Sequence, residues 1–319
     1  MSDDRQRVAV LGATGHVGKC LVAGFAATGA HEVTAVARDF ERLGAFLGGL
    51  DTGDAVACRS FSAFETGEYD VVINCVGVGK PAGVVAAGST IFELTERFDT
   101  LASEYVARHP GALYISFSSG AAYCGDFEQP VAEATRAYVP INALMPTDYY
   151  GAAKLAAEVR HRAASDLSIV DLRLFGLFSR YVDPSSRYLM TDVLKAIADG
   201  TVLQVGPGDV TRDYVDPSDL VHLVNLVIAA PRPINDVYDV YSAAPVAKFR
   251  MLEEFSVRFG LTFDVLVAEA DVSATGMKPF YYSENRRAAK LGYKPTKSSL
   301  ESLVAQMDVL VGQHEGGPA

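Results

Sequence analysis

Cysteine is scarce in this chain, with four in 319 residues: Cys20, Cys58, Cys75 and Cys124. None forms a C-x-x-C pair or sits at zinc-finger spacing. That excludes a disulfide framework, and a reducing cytoplasm is the expected compartment. Basic charge is also in deficit. Against 39 Asp+Glu stand 28 Lys+Arg, a formal net charge of −11, the wrong sign for a nucleic-acid partner. Long apolar runs are missing. No stretch reaches the roughly 18 residues that a membrane span needs, so no membrane partner is expected. The charged start Met1-Ser2-Asp3-Asp4-Arg5 leads into an apolar run broken at Gly12, which is not the pattern of a signal peptide. Internal repeats and low-complexity tracts are absent, and no His/Cys/Asp cluster has metal-ligand spacing, so the expected metal content is none.

What is present is an ordinary globular mixture, 49% hydrophobic and 21% charged, with ample apolar surface to offset chain entropy. The length suits one large or two intimate domains. Short apolar runs alternate with helix-period segments through the first half. Strands are expected at Val8–Leu11, His31–Ala37, Val56–Ser60, Val71–Val76, Leu113–Phe117 and Ser168–Leu174. Helices are expected at His16–Thr28, Thr90–Arg108 and Thr147–Ser165. This alternation predicts an α/β fold, a doubly wound parallel sheet with helices on both faces. The pattern changes near residue 176: a polar loop at Arg180–Arg187, then helices at Tyr188–Asp199, Pro217–Ala230, Phe249–Gly260 and Ser298–Val311, with short strands at Val202–Val205 and Val237–Val240. A dinucleotide-binding domain over 1–175 and a smaller, mainly substrate-binding region over 176–319 are expected, with some interleaving. The last five residues, from Glu315, are expected to fray.

The sharpest local signal is Val8-Ala9-Val10-Leu11-Gly12-Ala13-Thr14-Gly15-His16-Val17-Gly18: strand, G-x-x-G-x-x-G turn, helix. Gly12 permits the sharp exit from the strand. Gly15 clears space for a pyrophosphate, and Gly18 lets the helix lie close to the sheet. The helix N-terminus offers free N–H groups and partial positive charge to the phosphates. His16 reads as a loop residue near the cofactor rather than a catalyst. The second strand ends at Ala37-Arg38-Asp39. A carboxylate at its tip would hold a ribose 2′-hydroxyl, whereas a guanidinium can fork onto a 2′-phosphate. Arg38 therefore favours NADP, with NAD possible; the competing reading is a solvated charge paired with Asp39.

A second signal is Tyr150-Gly151-Ala152-Ala153-Lys154. Tyr and Lys at i and i+4 share a helix face. A free phenol has a pKa near ~10, too high for a base at neutral pH; a neighbouring ammonium and an oxidised nicotinamide both favour the phenolate. Ser116-Phe117-Ser118-Ser119-Gly120-Ala121-Ala122-Tyr123 follows a strand at the sheet's carboxyl edge, where ligands bind in such folds. A hydroxyl there can meet both the reacting oxygen and the phenol.

Together with Asn74-Cys75-Val76-Gly77 after the fourth strand, these motifs make the chain resemble an extended short-chain dehydrogenase/reductase, nearest in pattern to the nucleotide-sugar epimerases, dehydratases and 4-ketoreductases. The segments Thr211-Arg212-Asp213-Tyr214-Val215-Asp216 and Asn285-Arg286-Arg287-Ala288-Ala289-Lys290-Leu291-Gly292-Tyr293 extend the likeness over nearly the whole chain. The resemblance implies Tyr150 as acid/base, Lys154 as its partner on the nicotinamide ribose, and Ser119 as the catalytic hydroxyl, with Ser118 its close rival. It also implies a cofactor site of Gly12, Thr14, Gly15, His16, Val17, Gly18, Arg38 and Val76, with Ser118, Tyr123 and Arg212 toward substrate. Arg212 would contact a diphosphate; its rival reading is an ion pair with Asp213 or Asp216. For Arg286 and Arg287, phosphate contact and a solvated face are both open. A homodimer through the helices at Thr90–Arg108 and Thr147–Ser165 is also implied.

The family's 4,6-dehydratases carry Asp-Glu directly after the catalytic hydroxyl residue; here those positions are Gly120 and Ala121, and neither can move a proton. Two further departures are Gly176, where the family often has Asn after the sixth strand, and Asp99, where Asn is frequent. Cys124 has two readings, a buried small residue or a second acid/base. The expectation is an NADP-dependent keto-sugar reductase acting on a nucleotide sugar. The alternatives are a nucleotide-sugar 4-epimerase with tightly bound NAD, a non-sugar carbonyl reductase, and a non-catalytic NADP-sensing regulator, against which the intact Ser119, Tyr150 and Lys154 set argues.

Overall fold

The computed structural model describes residues 5–77, 81–125, 127–266 and 278–315; most of the fraying tail expected from the sequence lies outside them. In chain order the elements are β1 (Gln6–Leu11), α1 (His16–Thr28), β2 (His31–Val36), α2 (Phe40–Gly48), β3 (Ala57–Arg59), α3 (Phe61–Phe64), β4 (Val71–Asn74), α4 (Pro81–Ala87), α5 (Thr90–Arg108) and β5 (Leu113–Ser119). There follow α6 (Tyr149–Ala163), β6 (Ser168–Leu174), α7 (Leu189–Asp199), β7 (Val202–Val205), β8 (Thr211–Arg212) and α8 (Pro217–Ala229). The last are β9 (Asn235–Val240), β10 (Val246–Ala247), α9 (Lys248–Phe259), β11 (Thr262–Val265), β12 (Phe280–Tyr281) and α10 (Ser299–Glu315).

Seven strands form one parallel sheet in the order β3-β2-β1-β4-β5-β6-β9. The doubly wound sheet expected from the sequence is therefore present, and the strand order reverses between β1 and β4, where such folds open a crevice. Alternate residues feed opposite faces. Val8, Val10, Val170 and Leu172 pack against Leu21 and Phe25 of α1 and Leu220 and Val224 of α8. Ala9, Leu11, Val72, Tyr114 and Ile169 pack against Ala102, Tyr105 and Val106 of α5. Burying both faces explains why the strands are near-continuous apolar runs rather than alternating ones.

Local chemistry sets the boundaries. Gly29, Gly200 and Gly260, all left-handed, stop α1, α7 and α9. The carboxylate of Asp216 caps α8 by accepting from the Ser218 N–H at 2.9 Å, with Pro217 at the first helical position. His109 closes α5, its N–H donating to the carbonyls of Tyr105 and Val106.

The chain after residue 176 is shared between two places. Helix α8 and strand β9 return to the large sheet. Helices α7, α9 and α10 enclose a second core of Phe178, Met190, Leu194, Leu252, Phe255, Leu303 and Met307. A three-stranded sheet, β10-β8-β12, and a two-stranded one, β11-β7, accompany it.

Candidate active site

The turn after β1 is shaped by steric exclusion. Gly12 has φ +78°, and a Cβ there would come within 3.1 Å of the Val76 nitrogen and the Cys75 carbonyl carbon. A Cβ on Gly18 would overlap the Gly12 carbonyl oxygen. The Gly12 N–H donates to Val36 O at 3.0 Å, holding the turn against β2. Helix α1 then begins after its N-cap, Gly15, with no side-chain cap and no acidic residue in its first turn. Its leading N–H groups and partial positive charge are thus left to an anion, and the cradle fits the pyrophosphate of a dinucleotide.

His16 and Arg38 differ in their commitments. The His16 imidazole shares a 2.7 Å hydrogen bond with Ser179 Oγ, and burial lowers its pKa to about 4, so it is neutral. Arg38 is exposed and, among the described residues, makes no ion pair. Asp39 is occupied capping α2, accepting from the Arg42 N–H at 2.9 Å, so the pairing of Arg38 with Asp39 weighed in the sequence does not form.

Tyr150 and Lys154 stand on the first turns of α6, which approaches the Ser119 end of β5 very closely. A Cβ on Gly151 would overlap the Ala121 carbonyl oxygen. Lys154 is buried, and its ammonium donates to Phe117 O at 2.9 Å. A Cβ on Gly77 would lie 3.8 Å from that nitrogen. The cation therefore sits between the ends of β4 and β5, at the crevice, with no carboxylate partner among the described residues.

The two candidate serines point opposite ways, as neighbours on a strand must. Ser118 Oγ donates to Glu158 Oε1 at 2.5 Å on the α6 face. Ser119 Oγ accepts from the Ala121 N–H at 3.2 Å and meets Tyr281 Oη at 3.2 Å. Tyr281 was not singled out in the sequence. Burial drives the pKa of its phenol well up, and the adjacent Tyr150 pushes the same way. The placement leaves Ser119, not Ser118, beside the Tyr281 phenol. Position 120 has no room for the dehydratase carboxylate, because a Cβ on Gly120 would overlap the Phe175 ring.

Tyr123, expected toward substrate, is instead part of a buried network under the site. Its hydroxyl donates to Asp239 Oδ2 at 2.9 Å, and Ser283 Oγ donates to the same oxygen at 2.6 Å. Arg173 grips Glu158 through Nε and Nη2 at 3.0 and 2.5 Å and lies 4.2 Å from the Tyr123 ring centre. Ser118, Arg173 and Asp239 are register partners across β5, β6 and β9, so they form one polar row. Burial raises the carboxyl pKa values of Glu158 and Asp239, opposed by Arg173 and by these hydroxyls.

A second buried chain runs from the crevice to α5. Asn74 Oδ1 accepts from the Val76 N–H at 3.0 Å, and its amide donates to Tyr114 Oη at 3.1 Å. The Tyr114 hydroxyl donates to Asp99 at 2.9 Å. His161 bridges Asp99 at 2.7 Å and Asp171 at 2.9 Å. Burial alone would lower the imidazole pKa, but the two carboxylates outweigh it and bring it to about 9. Asp99 is thus a counter-ion of a buried imidazolium, a role that an asparagine could not fill.

Arg212 finds neither acidic partner weighed for it. Asp213 turns to the Ser242 N–H and Ser299 Oγ, and Asp216 to Lys297. The guanidinium donates to Thr211 O at 2.9 Å and Lys278 O at 2.6 Å, and lies 5.9 Å from the Tyr281 ring centre. Arg287 is bound to Asp236 at 2.8 Å, and Arg286 stacks 4.2 Å from the Tyr241 ring centre. Gly176 is dictated by packing, since a Cβ there would overlap the Asp213 carbonyl oxygen. Cys124 is half-buried, its thiol pushed up to about 11 by burial and donating to Ala122 O, which suits a packing residue better than a proton carrier. Among the described residues, no His/Cys/Asp/Glu group could hold a metal, and no helix is long and apolar enough to cross a membrane.

Residues 8–241 match the NAD dependent epimerase/dehydratase family, and the chain belongs to that family, within the extended short-chain dehydrogenases/reductases. No curated protein matches the sequence. The fold is shared with solved structures of low identity. A UDP-glucose-4-epimerase from Stenotrophomonas maltophila, with bound NAD and formylated UDP-arabinopyranose, has TM-score 0.81 and 17% identity, covering 98% of this chain and 100% of that one. A UDP-N-acetylglucosamine 4-epimerase from Methanobrevibacter ruminantium M1, in complex with UDP-N-acetylmuramic acid, has TM-score 0.79 and 18% identity over 97% and 99%. A UDP-glucuronic acid 4-epimerase from Bacillus cereus, in complex with UDP-glucuronic acid and NAD, has TM-score 0.77 and 18% identity over 96% and 99%.

Proposed function

We propose that this member of the NAD dependent epimerase/dehydratase family is a nucleotide-sugar 4-epimerase. The observation carrying the reading is the close approach of the first turns of α6, which carry Tyr150 and Lys154, to the Ser119 end of β5, with Lys154 bonded to Phe117 O, beside an uncapped helix N-terminus. The structural relatives turn the choice from reductase to epimerase, since those named above are 4-epimerases of UDP sugars.

Gly12, Gly15 and Gly18 would hold the dinucleotide's pyrophosphate at the start of α1, with Lys154 and Val76 near its nicotinamide end. Bound there, a nicotinamide supplies a reversible hydride acceptor for a sugar carbon. Tyr150 takes the proton of that carbon's hydroxyl and later returns it. Lys154, buried and free of any carboxylate among the described residues, stabilises the phenolate between the two transfers. Ser119 donates to the same substrate oxygen. Because Tyr281 stays protonated in its half-buried position, it can donate to Ser119 and leave the serine's own proton for the substrate. Arg212, half-buried and without a carboxylate partner among the described residues, suits the diphosphate.

Arg38 supports a second reading. Without an ion pair among the described residues and just past the tip of β2, it suits a 2′-phosphate, hence NADP and an exchanging keto-sugar reductase. The test is to denature the purified protein and identify any released cofactor, then assay a panel of UDP sugars for interconversion without added cofactor. Stoichiometric NAD and C4 interconversion support the epimerase. Turnover only of keto-sugar nucleotides, with NADPH consumed, replaces it with the reductase. A homodimer through α5 and α6, where Val159 is 60% exposed, belongs to the same proposal and is checked by light scattering after size exclusion.

A further inference from the structure

Lys278 is a cation that neither the sequence reading nor the proposed mechanism uses. Its ammonium lies 5.0 Å from the Phe127 ring centre and 5.1 Å from that of Tyr281. Arg212 flanks the same Tyr281 ring and donates to the Lys278 carbonyl. Neither cation has a carboxylate within ion-pair distance among the described residues. Two like charges are thus held around one half-buried phenol, whose hydroxyl reaches Ser119.

Such a pair is costly when left alone. Burial lowers the pKa of both cations, and Arg212 depresses Lys278 further. The aromatic faces offset part of this, but a cation–π contact does not neutralise charge. An oxyanion between the two would. The position distinguishes two sources for it. Arg212 suffices for one phosphate of a nucleotide. Lys278 instead stands between the Phe127 ring and the Tyr281 ring, whose hydroxyl meets Ser119, and it makes no ion pair with Asp148 just before α6. That is the end at which the proposed mechanism places the reacting carbon, beside Ser119.

We infer that Lys278 binds a carboxylate carried by the sugar ring itself, so that the preferred substrates are nucleotide-linked uronic acids. The inference rests on the nucleotide-sugar reading. Its test is calorimetric binding of UDP, UDP-glucose and UDP-glucuronic acid to the full chain and to Lys278→Met, with dTDP and GDP as additional nucleotide probes. The native chain is expected to bind UDP-glucuronic acid at least tenfold tighter than UDP-glucose, and Lys278→Met to bring that ratio close to one. Lys278→Arg should recover part of the preference, which separates lost charge from lost packing. A ratio near one in the native chain overturns the inference. So does a Lys278→Met variant that keeps the native ratio, which would assign Lys278 to the diphosphate shared by both ligands. Failure of all three nucleoside diphosphates to bind would instead sink the nucleotide-sugar reading beneath it.

Discussion

The imidazolium of His161 makes stability depend on pH in a direction that can be worked out. Its pKa rises from an unfolded value near 6.5 to about 9, because Asp99 and Asp171 outweigh the burial that would lower it. A raised folded pKa gives stability that is complete below the unfolded value and lost as pH climbs through the folded one. A shift of this size corresponds to roughly 3 kcal/mol, an upper figure given the coupling with two carboxylates. In a chain of this length that is on the order of 5 °C in melting temperature. The assay is urea unfolding, followed by circular dichroism, at steps from pH 6 to 9.5. Stability should fall across that range by about the stated amount. His161→Gln should be less stable at pH 6.5, by up to roughly 3 kcal/mol, because Asp99 and Asp171 lose the cation between them and keep only Arg160 and Arg162 at their outer oxygens. Its stability should then be nearly flat over the same range. A native profile that is level from pH 6.5 to 9, or a variant that declines in parallel with it, would refute the charged, bridging imidazole.

Tyr150→Phe should lower kcat by about 10²–10⁴-fold while dinucleotide affinity stays within a few-fold, as fluorescence titration would show. Ser119→Ala should cost activity without much stability, whereas Ser118→Ala should cost stability, through the lost hydrogen bond to the buried Glu158, and less activity; melting curves beside steady-state kinetics separate the two. Arg38→Ala should reduce the ratio of NADP to NAD affinity by about tenfold or more, and an unchanged ratio removes the argument from that guanidinium. Gly151→Ala should destabilise by about 1–3 kcal/mol and depress kcat, since the new methyl meets the Ala121 carbonyl and displaces the start of α6.

The large sheet was legible because its strands are continuous apolar runs and its helices carry clear stops. Helices α1 and α5 and strand β6 fall on their expected boundaries. The cofactor turn was legible because three glycines at fixed spacing leave few alternatives. Strands β8, β10 and β12 were not, since two-residue strands have no periodicity, and their partners lie far along the chain. Tyr281 was missed for the same reason: only the pairing of β12 with β8 brings it to Ser119. The choice between Ser118 and Ser119 needed the pleat, which places one toward Glu158 and the other toward the Tyr281 phenol. The family resemblance implies a substrate contact for Tyr123. The buried Asp239, on a strand more than a hundred residues later, claims its hydroxyl.

Helix α6 carries Tyr150, Lys154, Glu158 and His161 on successive turns. The first two are the proposed reagents, and the last two are clamped by arginine and aspartate partners. A rod pinned at its far end can neither roll nor slide, so the phenol is aimed by groups two and three turns away. Transplanting the Tyr-x-x-x-Lys pair into another helix would therefore carry the reagents but not the aim. Changes at Arg173 or Asp171, remote from any reacting atom, should detune catalysis as surely as changes at the tip.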